Sequence, residues 1–308
     1  MNDKHKLWVE KYRPTSVETY IFHDDNFTRS VQRMIVDQSI PHLLLSGVAG
    51  TGKTTIARIF VNALHIEDTD VLVINASDEN SVDVIRDKIK SFVSTWAMGK
   101  FKIVNLEEAD YLSPNAQAVL RQLMEEYSDT ARFILTCNYE NKIIPAIKSR
   151  CQQFRFTKPN RDAVLLFTGD ILIAEKVKFT LEQLEGYVSV GYPDIRKIIN
   201  LLQQNTIDGK LLPLNQTETG DYKFKLLELI ETGDWIGARK LACEQVSAEE
   251  WEETFKFLYE NLDKSPSFTQ RDKWEAGIVI IADHLYKHSL VADPEINAAA
   301  MFIRLGQI

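Results

Sequence analysis

Between residue 30 and about residue 156, short apolar runs alternate with stretches whose apolar residues recur at helical spacing. HLLLSG (42–47) is an apolar run closed by glycine, and TTIARIFVNAL follows it with the period of an amphipathic helix. VLVINAS (71–77) repeats the strand pattern and VDVIRDKIKSFVSTW (82–96) the helical one. FKIVNLEEAD reads as a third strand ending in acids, SPNAQAVLRQLMEEYS as a helix opened by Ser-Pro, and RFILTCN as a fourth strand. Alternation of this kind predicts a mostly parallel sheet with helices on both faces, its ligand beyond the carboxyl ends of the strands.

After TKPNRD (157–162) the strand pattern stops. Residues 160–206 read as helices broken at Gly186 and at GYP (191–193), and DGKLLPLNQTETGD (208–221) reads as a polar linker. Beyond it, FKLLELIETGDWIGARKLACEQV and the rest, to AAAMFIRLGQI, are helical. Three domains are expected, over 1–158, 159–208 and 222–308, which suits a chain of 308 residues, too long for one core. The aromatic residues of the last third (Trp235, Trp251, Phe255, Phe257, Tyr259, Trp274) are expected in a helical core, because acids rather than Lys and Arg surround them.

A net charge of -8 argues against a free-standing nucleic-acid binder, while leaving room for a local basic surface, above all one assembled from several subunits. No stretch approaches the apolar length of a membrane span, and MNDKHKLWVEKYRP lacks the apolar region of a secretory signal. The expectation is a cytoplasmic protein, in the host cytoplasm if it is viral. Cys137, Cys151 and Cys243 form no CxxC pair, so neither zinc nor a disulfide framework is expected, and all three read as reduced packing thiols.

The most specific pattern is Gly47-Val48-Ala49-Gly50-Thr51-Gly52-Lys53-Thr54, followed by Thr55. It satisfies GxxxxGK[ST] between a strand and a helix, the context in which glycines let backbone N–H groups converge on phosphates. Lys53 should reach the β- and γ-phosphates of ATP, and the Thr54 hydroxyl should ligate Mg²⁺. The acids closing the third strand supply hydrolytic chemistry: Glu107 would hold Mg²⁺ through water, and Glu108 would orient or deprotonate the attacking water. Asn138, at the end of the fourth strand, can hold that water or the γ-phosphate. Arg196 opens the helix RKIINLLQ, where Asp194 is a good N-cap. Arg86 and Lys90 are four apart and share a helix face, with Lys88 between them, opposite the apolar side made by Val82, Ile85 and Ile89.

Taken in order, these motifs resemble the AAA+ ATPase subunits of sliding-clamp loaders, of the replication-factor-C and T-even phage type. The resemblance runs from Trp8-Val9-Glu10-Lys11-Tyr12-Arg13-Pro14 through Asn75–Asn80, Asp83–Arg86, Gln117–Glu125 and Thr136-Cys137-Asn138 (sensor 1). It continues through Ser149-Arg150-Cys151 to Gly191–Arg196 (sensor 2), and covers roughly residues 7–205. It implies a P-loop AAA+ domain, a helical lid and a helical C-terminal collar. It makes Tyr12, Arg13 and Pro14 candidates for the base pocket and Arg196 a cis contact to the γ-phosphate. Arg150 becomes an arginine finger acting in trans, and Arg86, Lys88 and Lys90 become contacts to the DNA backbone. Gln117 and Arg121, on the helix after the acidic strand, would couple DNA to the ATP site. The partners implied are a sliding clamp, primer–template DNA, copies of this chain and one different subunit, in a pentameric ring-like assembly. The chain departs from the family at Glu107, where Asp is usual, and residues 55–100 hold no cysteine, unlike bacterial tau/gamma subunits. Divergent motifs lean toward a phage origin. Two rival readings stay open: another AAA+ DNA machine, such as a helicase loader or branch-migration motor, and a nucleotide-binding scaffold with weak hydrolysis.

Overall fold

A computed structural model describes residues 7–79, 81–213, 221–246, 251–288 and 290–308, and divides the chain into two compact units, Met1–Leu212 and Pro213–Ile308. Asn80 and the linker stretch 214–220 lie outside the described residues.

In the first unit, β1 (Leu43–Gly47), β2 (Val71–Asn75), β3 (Lys102–Glu107), β4 (Ala131–Cys137) and β5 (Gln152–Phe156) form one parallel sheet in the order β2-β3-β4-β1-β5. The three central strands are almost wholly buried, which is why they read as continuous apolar runs. β5 is an edge strand, QQFRF, that no apolar run announces in the sequence, because Gln152, Gln153 and Arg155 are exposed. Alternation along β1 sends Leu43 and Leu45 to one face, with Phe27, Val31, Ile56 and Phe60, and Leu44 to the other, with Ile85, Ile89 and Leu120. The first face is covered by α2 (Asp25–Val36) and α3 (Lys53–Ala63), the second by α4 (Val82–Val93) and α5 (Pro114–Glu126). A short α1 (Trp8–Lys11) precedes them, and α6 (Pro145–Lys148) lies between β4 and β5. Ser113 caps α5 through Ala116 N, with Pro114 at the first helical position.

The lid is built from α7 (Arg161–Ala174), α8 (Leu181–Gly191) and α9 (Ile195–Gln204). Gly186 does not break a helix, contrary to the sequence reading: α8 runs through it, because Leu184, Tyr187 and Val188 are buried around it. A glycine inside a helix costs about 1 kcal/mol, less than such burial supplies. The chain turns at Gly191, where a Cβ would come within 2.4 Å of Ile198 Cγ1, so α9 packs against bare backbone. The start of the expected linker is also structured. β6 (Thr206–Ile207) and β7 (Lys210–Leu211) form a hairpin, and Lys178 bonds to it through Gly209 O and Leu211 N.

The second unit packs α10 (Asp221–Glu231), α11 (Trp235–Gln245), α12 (Trp251–Asn261), α13 (Arg271–His288) and α14 (Pro294–Leu305) around Leu226, Trp251, Phe255, Leu258 and Phe302. The expected aromatic core holds for Trp251 and Phe255, whereas Trp235, Tyr259 and Trp274 are 38%, 53% and 36% exposed. Cys137 is buried and Cys151 half-buried, but Cys243 is exposed, beside Glu295 and Arg239. No helix among the described residues is long and apolar enough to cross a membrane.

Candidate functional site

The loop after β1 turns through two left-handed glycines, Gly50 (φ 72°) and Gly52 (φ 93°), a region that side-chain-bearing residues rarely adopt. At Gly50 there is a second reason: a Cβ would sit 1.8 Å from Asp194 Oδ1, so the lid's helix-capping carboxylate rests on the loop's backbone. The same Asp194 accepts from Lys197 N and thereby sets the start of α9, with Arg196 in its first turn. Lys53 opens α3 and is 8% exposed; its ammonium donates to Gly47 O (2.7 Å), Val48 O (2.8 Å) and Asn138 Oδ1 (3.0 Å). Burial lowers its pKa to about 8, partly offset by Cys137 and Asp110.

This loop forms one wall of a cleft. Gly50 to Thr55 face Tyr12, Arg13 and Pro14 from the N-terminal segment and Arg196 from the lid. Val9 and Ile195, from the quoted motifs, and Tyr20, Ile21, Phe167 and Ile199, which no local motif announced, supply an apolar surface. The N-terminal segment is tied to the lid: Trp8 N donates to Gln203 Oε1 (2.8 Å), and Lys11 Nζ and Tyr12 Oη both donate to Glu175 Oε1 (2.8 and 2.7 Å). Arg13 has its pKa lowered by burial and by the charges of Arg58 and Arg196, a crowding of cations that suits a polyanion. Arg58, on α3, carried no motif in the sequence.

The acids stand along the same carboxyl edge. Strand order puts β4 between β3 and β1, so sheet spacing sets Glu107 about 10 Å from the phosphate loop. That gap has room for a phosphoryl group and a hydrated cation. Glu107 is half-buried and receives Asn105 Nδ2 at 3.4 Å; Glu108 sits at φ 56°, its N–H bonded to Thr136 Oγ1 (3.3 Å). Asp110, the third acid of the run, is buried and accepts from Asn138 N (3.3 Å) and Tyr139 N (3.1 Å), holding the turn after β4. Gln117 is also buried, its amide bonded to Leu112 O, Lys142 O and Ile144 N. It anchors α5 to the chain beyond Asn138.

Arg150 is not part of this cleft. It precedes β5, whose first residue, Gln152, pairs with Leu43 at the start of β1. About 13 Å of strand therefore separates it from the phosphate loop at the other end of β1. It lines a second cavity with Arg33, His42, Arg132 and Gln152, at the amino ends of the strands. Its guanidinium donates to Ala146 O (2.6 Å) and Ser149 Oγ (3.3 Å) and forms an ion pair with Glu125.

On α4, Arg86, Lys88 and Lys90 are exposed opposite buried Ile85 and Ile89. They are not equivalent: Lys88 is paired with Glu79 (2.8 Å) and Arg86 with Asp83 (3.3 Å), while Lys90 has no side-chain partner among the described residues.

Residues 43–159 match the ATPase family associated with various cellular activities (AAA). The replication factor C small subunit of Sulfurisphaera tokodaii is 43% identical over 209 residues, 67% of this chain and 64% of that protein. The chain thus spans just under two thirds of that relative's length. The replication factor C small subunit of Archaeoglobus fulgidus is 39% identical over 246 residues, 77% of each chain. Among solved structures, the Thermotoga maritima RuvB Holliday junction branch migration motor overlays with a TM-score of 0.61 at 15% identity, over 81% of this chain and 91% of that one. At that identity the likeness speaks for the fold alone. The sheet order, the phosphate loop and its acidic neighbour, and identity sustained over 77% of a full-length relative together establish that the chain belongs to the replication factor C small subunit family of AAA proteins.

Proposed function

We propose that this chain binds and hydrolyses ATP as a subunit of a sliding-clamp loader working in the cytoplasm. The observation that supports this most is the division of catalytic groups between the two ends of one sheet. Lys53 lines the cleft and bonds Asn138, and Glu107 and Glu108 stand at the same carboxyl edge of the sheet, while Arg150 lies about 13 Å of strand away, at the other end of β1.

ATP would enter with its base among Val9, Tyr12, Pro14 and Phe167 and its phosphates on the N–H groups of Gly47 to Thr55. Arg13, Lys53 and Arg196 balance the phosphate charge, and Arg196 passes the state of the γ-phosphate to the lid. The Thr54 hydroxyl and, through water, Glu107 would hold Mg²⁺. One hydroxyl and one carboxylate across a gap of about 10 Å fit an ion that keeps most of its waters. When bound, Mg²⁺ neutralises charge on the phosphates. Glu108 orients or deprotonates the attacking water, Asn138 holds it or the γ-phosphate, and a neighbour's Arg150 stabilises the charge that develops on the transferring group.

A finger supplied in trans requires an oligomer: copies of this chain and one different subunit, in a five-membered ring-like assembly. Residues 1–158 act as the ATPase domain, 159–208 as the lid and 222–308 as the collar of that assembly. ATP binding opens the clamp, primer–template DNA along Arg86, Lys88 and Lys90 completes the sites, and hydrolysis releases the closed clamp on DNA. Phosphate release with primed DNA, clamp and partner subunit tests this, using an Arg150→Ala chain mixed with a Glu108→Gln chain. Activity restored by mixing two inactive chains supports shared sites. No rescue in a mixture that co-assembles, or turnover indifferent to the clamp, defeats the reading.

A further inference from the structure

Arg150 does not stand alone at the amino end of the sheet. Glu125, on α5, forms an ion pair with its guanidinium, and Arg121, one turn earlier on α5, approaches the same Oε1 at 3.9 Å. The Arg121 Nε is buried with no hydrogen-bond partner. One carboxylate thus gathers two guanidiniums into a cluster that keeps a net positive charge.

The remaining Arg150 bonds, to Ala146 O and Ser149 Oγ, are local. They lie on or next to α6, a single turn of Pro145–Lys148. Glu125 belongs instead to a 13-residue helix anchored by buried Leu120, Leu123 and Met124. It is the contact that refers the arginine to a rigid element. Three of the five guanidinium donors are engaged, which leaves two open. The pair is partly exposed, with side chains 33% and 44% accessible, so it contributes little to stability. Its consequence is orientation.

We propose that Glu125 is the positioning residue of Arg150, fixing its guanidinium so that the two open donors meet a terminal phosphate held by a neighbouring subunit. The inference rests on the trans role of Arg150 proposed above. Without Glu125, Arg150 would be ordered only as the neighbour's phosphate arrives, and Arg121 would repel it unshielded.

The test is steady-state ATP hydrolysis by the complete assembly with clamp and primed DNA. Five forms are compared: wild type, Glu125→Ala, Glu125→Gln, Arg150→Ala and the double variant Glu125→Ala/Arg150→Ala, each also melted thermally. The expected result is a kcat lowered about 10-fold by Glu125→Ala with KM for ATP unchanged, the order expected of a misplaced group. Glu125→Gln, which keeps an acceptor oxygen, recovers part of the loss. The double variant is no slower than Arg150→Ala, and melting temperatures stay together. Wild-type or raised kcat in Glu125→Ala overturns the proposal, as does a double variant that loses a further factor equal to that of Glu125→Ala alone. If Arg150→Ala itself turns over normally, the trans reading falls first. If Arg150→Ala is inactive and Glu125→Ala is normal, only the role of Glu125 is lost.

Discussion

At the carboxyl ends of β1, β3 and β4 the site is made mostly of backbone: a loop curled by Gly50 and Gly52, an ammonium held by carbonyl groups, and a turn fixed by Asp110. At the amino ends, about 13 Å of strand away, Arg150, Glu125 and Arg121 form a cluster of side chains brought in by α5 and the turn before β5. The first region is preorganised before any ligand arrives. The second is cationic and partly exposed, and in the proposed function it is the half of a site that a neighbouring subunit completes, so that assembly would gate the chemistry.

The sharpest attempt to break this division compares Arg150→Ala with Glu108→Gln. Both should lower turnover of the assembled protein by about 10³-fold, within the ranges for arginine fingers and general bases. Nucleotide affinity of the isolated chain should be unchanged in Arg150→Ala, as fluorescent nucleotide titration would read; a large loss there would put Arg150 in its own cleft.

Gly50→Ala should cost about 1–3 kcal/mol in thermal melts, because its φ of 72° disfavours a side chain and its Cβ would meet Asp194 at 1.8 Å. Nucleotide binding should fall with it. Combining Gly50→Ala with Asp194→Ala should cost less than the two singles summed, since the clash disappears. Simple additivity would mean that lid and loop do not touch.

A smaller effect follows from Lys53. Its pKa of about 8 lies below the ordinary 10.5, so burying its charge costs stability below pH 8. As pH rises from about 8 toward 10.5 the folded state binds fewer protons than the unfolded chain, and this cost is relieved. A phosphate beside the ammonium would raise its pKa again. Nucleotide binding near pH 9 should therefore take up protons, seen as a buffer-dependent binding enthalpy that is absent in Lys53→Ala; equal uptake in that variant would rule Lys53 out as the source. Smallest of all, Tyr12→Phe should remove one bond to Glu175 and destabilise the first unit by about 1 kcal/mol in a thermal melt. No change would show that the bond between the N-terminal segment and the lid carries no net stability.

The phosphate loop, the acids of β3, Asn138 and the caps Ser113 and Asp194 are legible in the sequence because each depends on residues adjacent in the chain. Glycine conformation, strand ends and N-caps are local properties, and the buried strands β1, β3 and β4 are mostly apolar. Lys53 meeting Asn138, Asp194 resting on Gly50 and Tyr12 meeting Glu175 are contacts across 85, 144 and 163 positions, and no local pattern encodes them. The same holds for β5, whose edge position removes the apolar signature, and for Gly186, where lid packing overrides a helix-breaking preference. The sequence by itself determined the chemistry available at the carboxyl edge. The tertiary structure decided which residues share the cleft and that Arg150 does not, because distance across a folded sheet follows strand order and register rather than position along the chain.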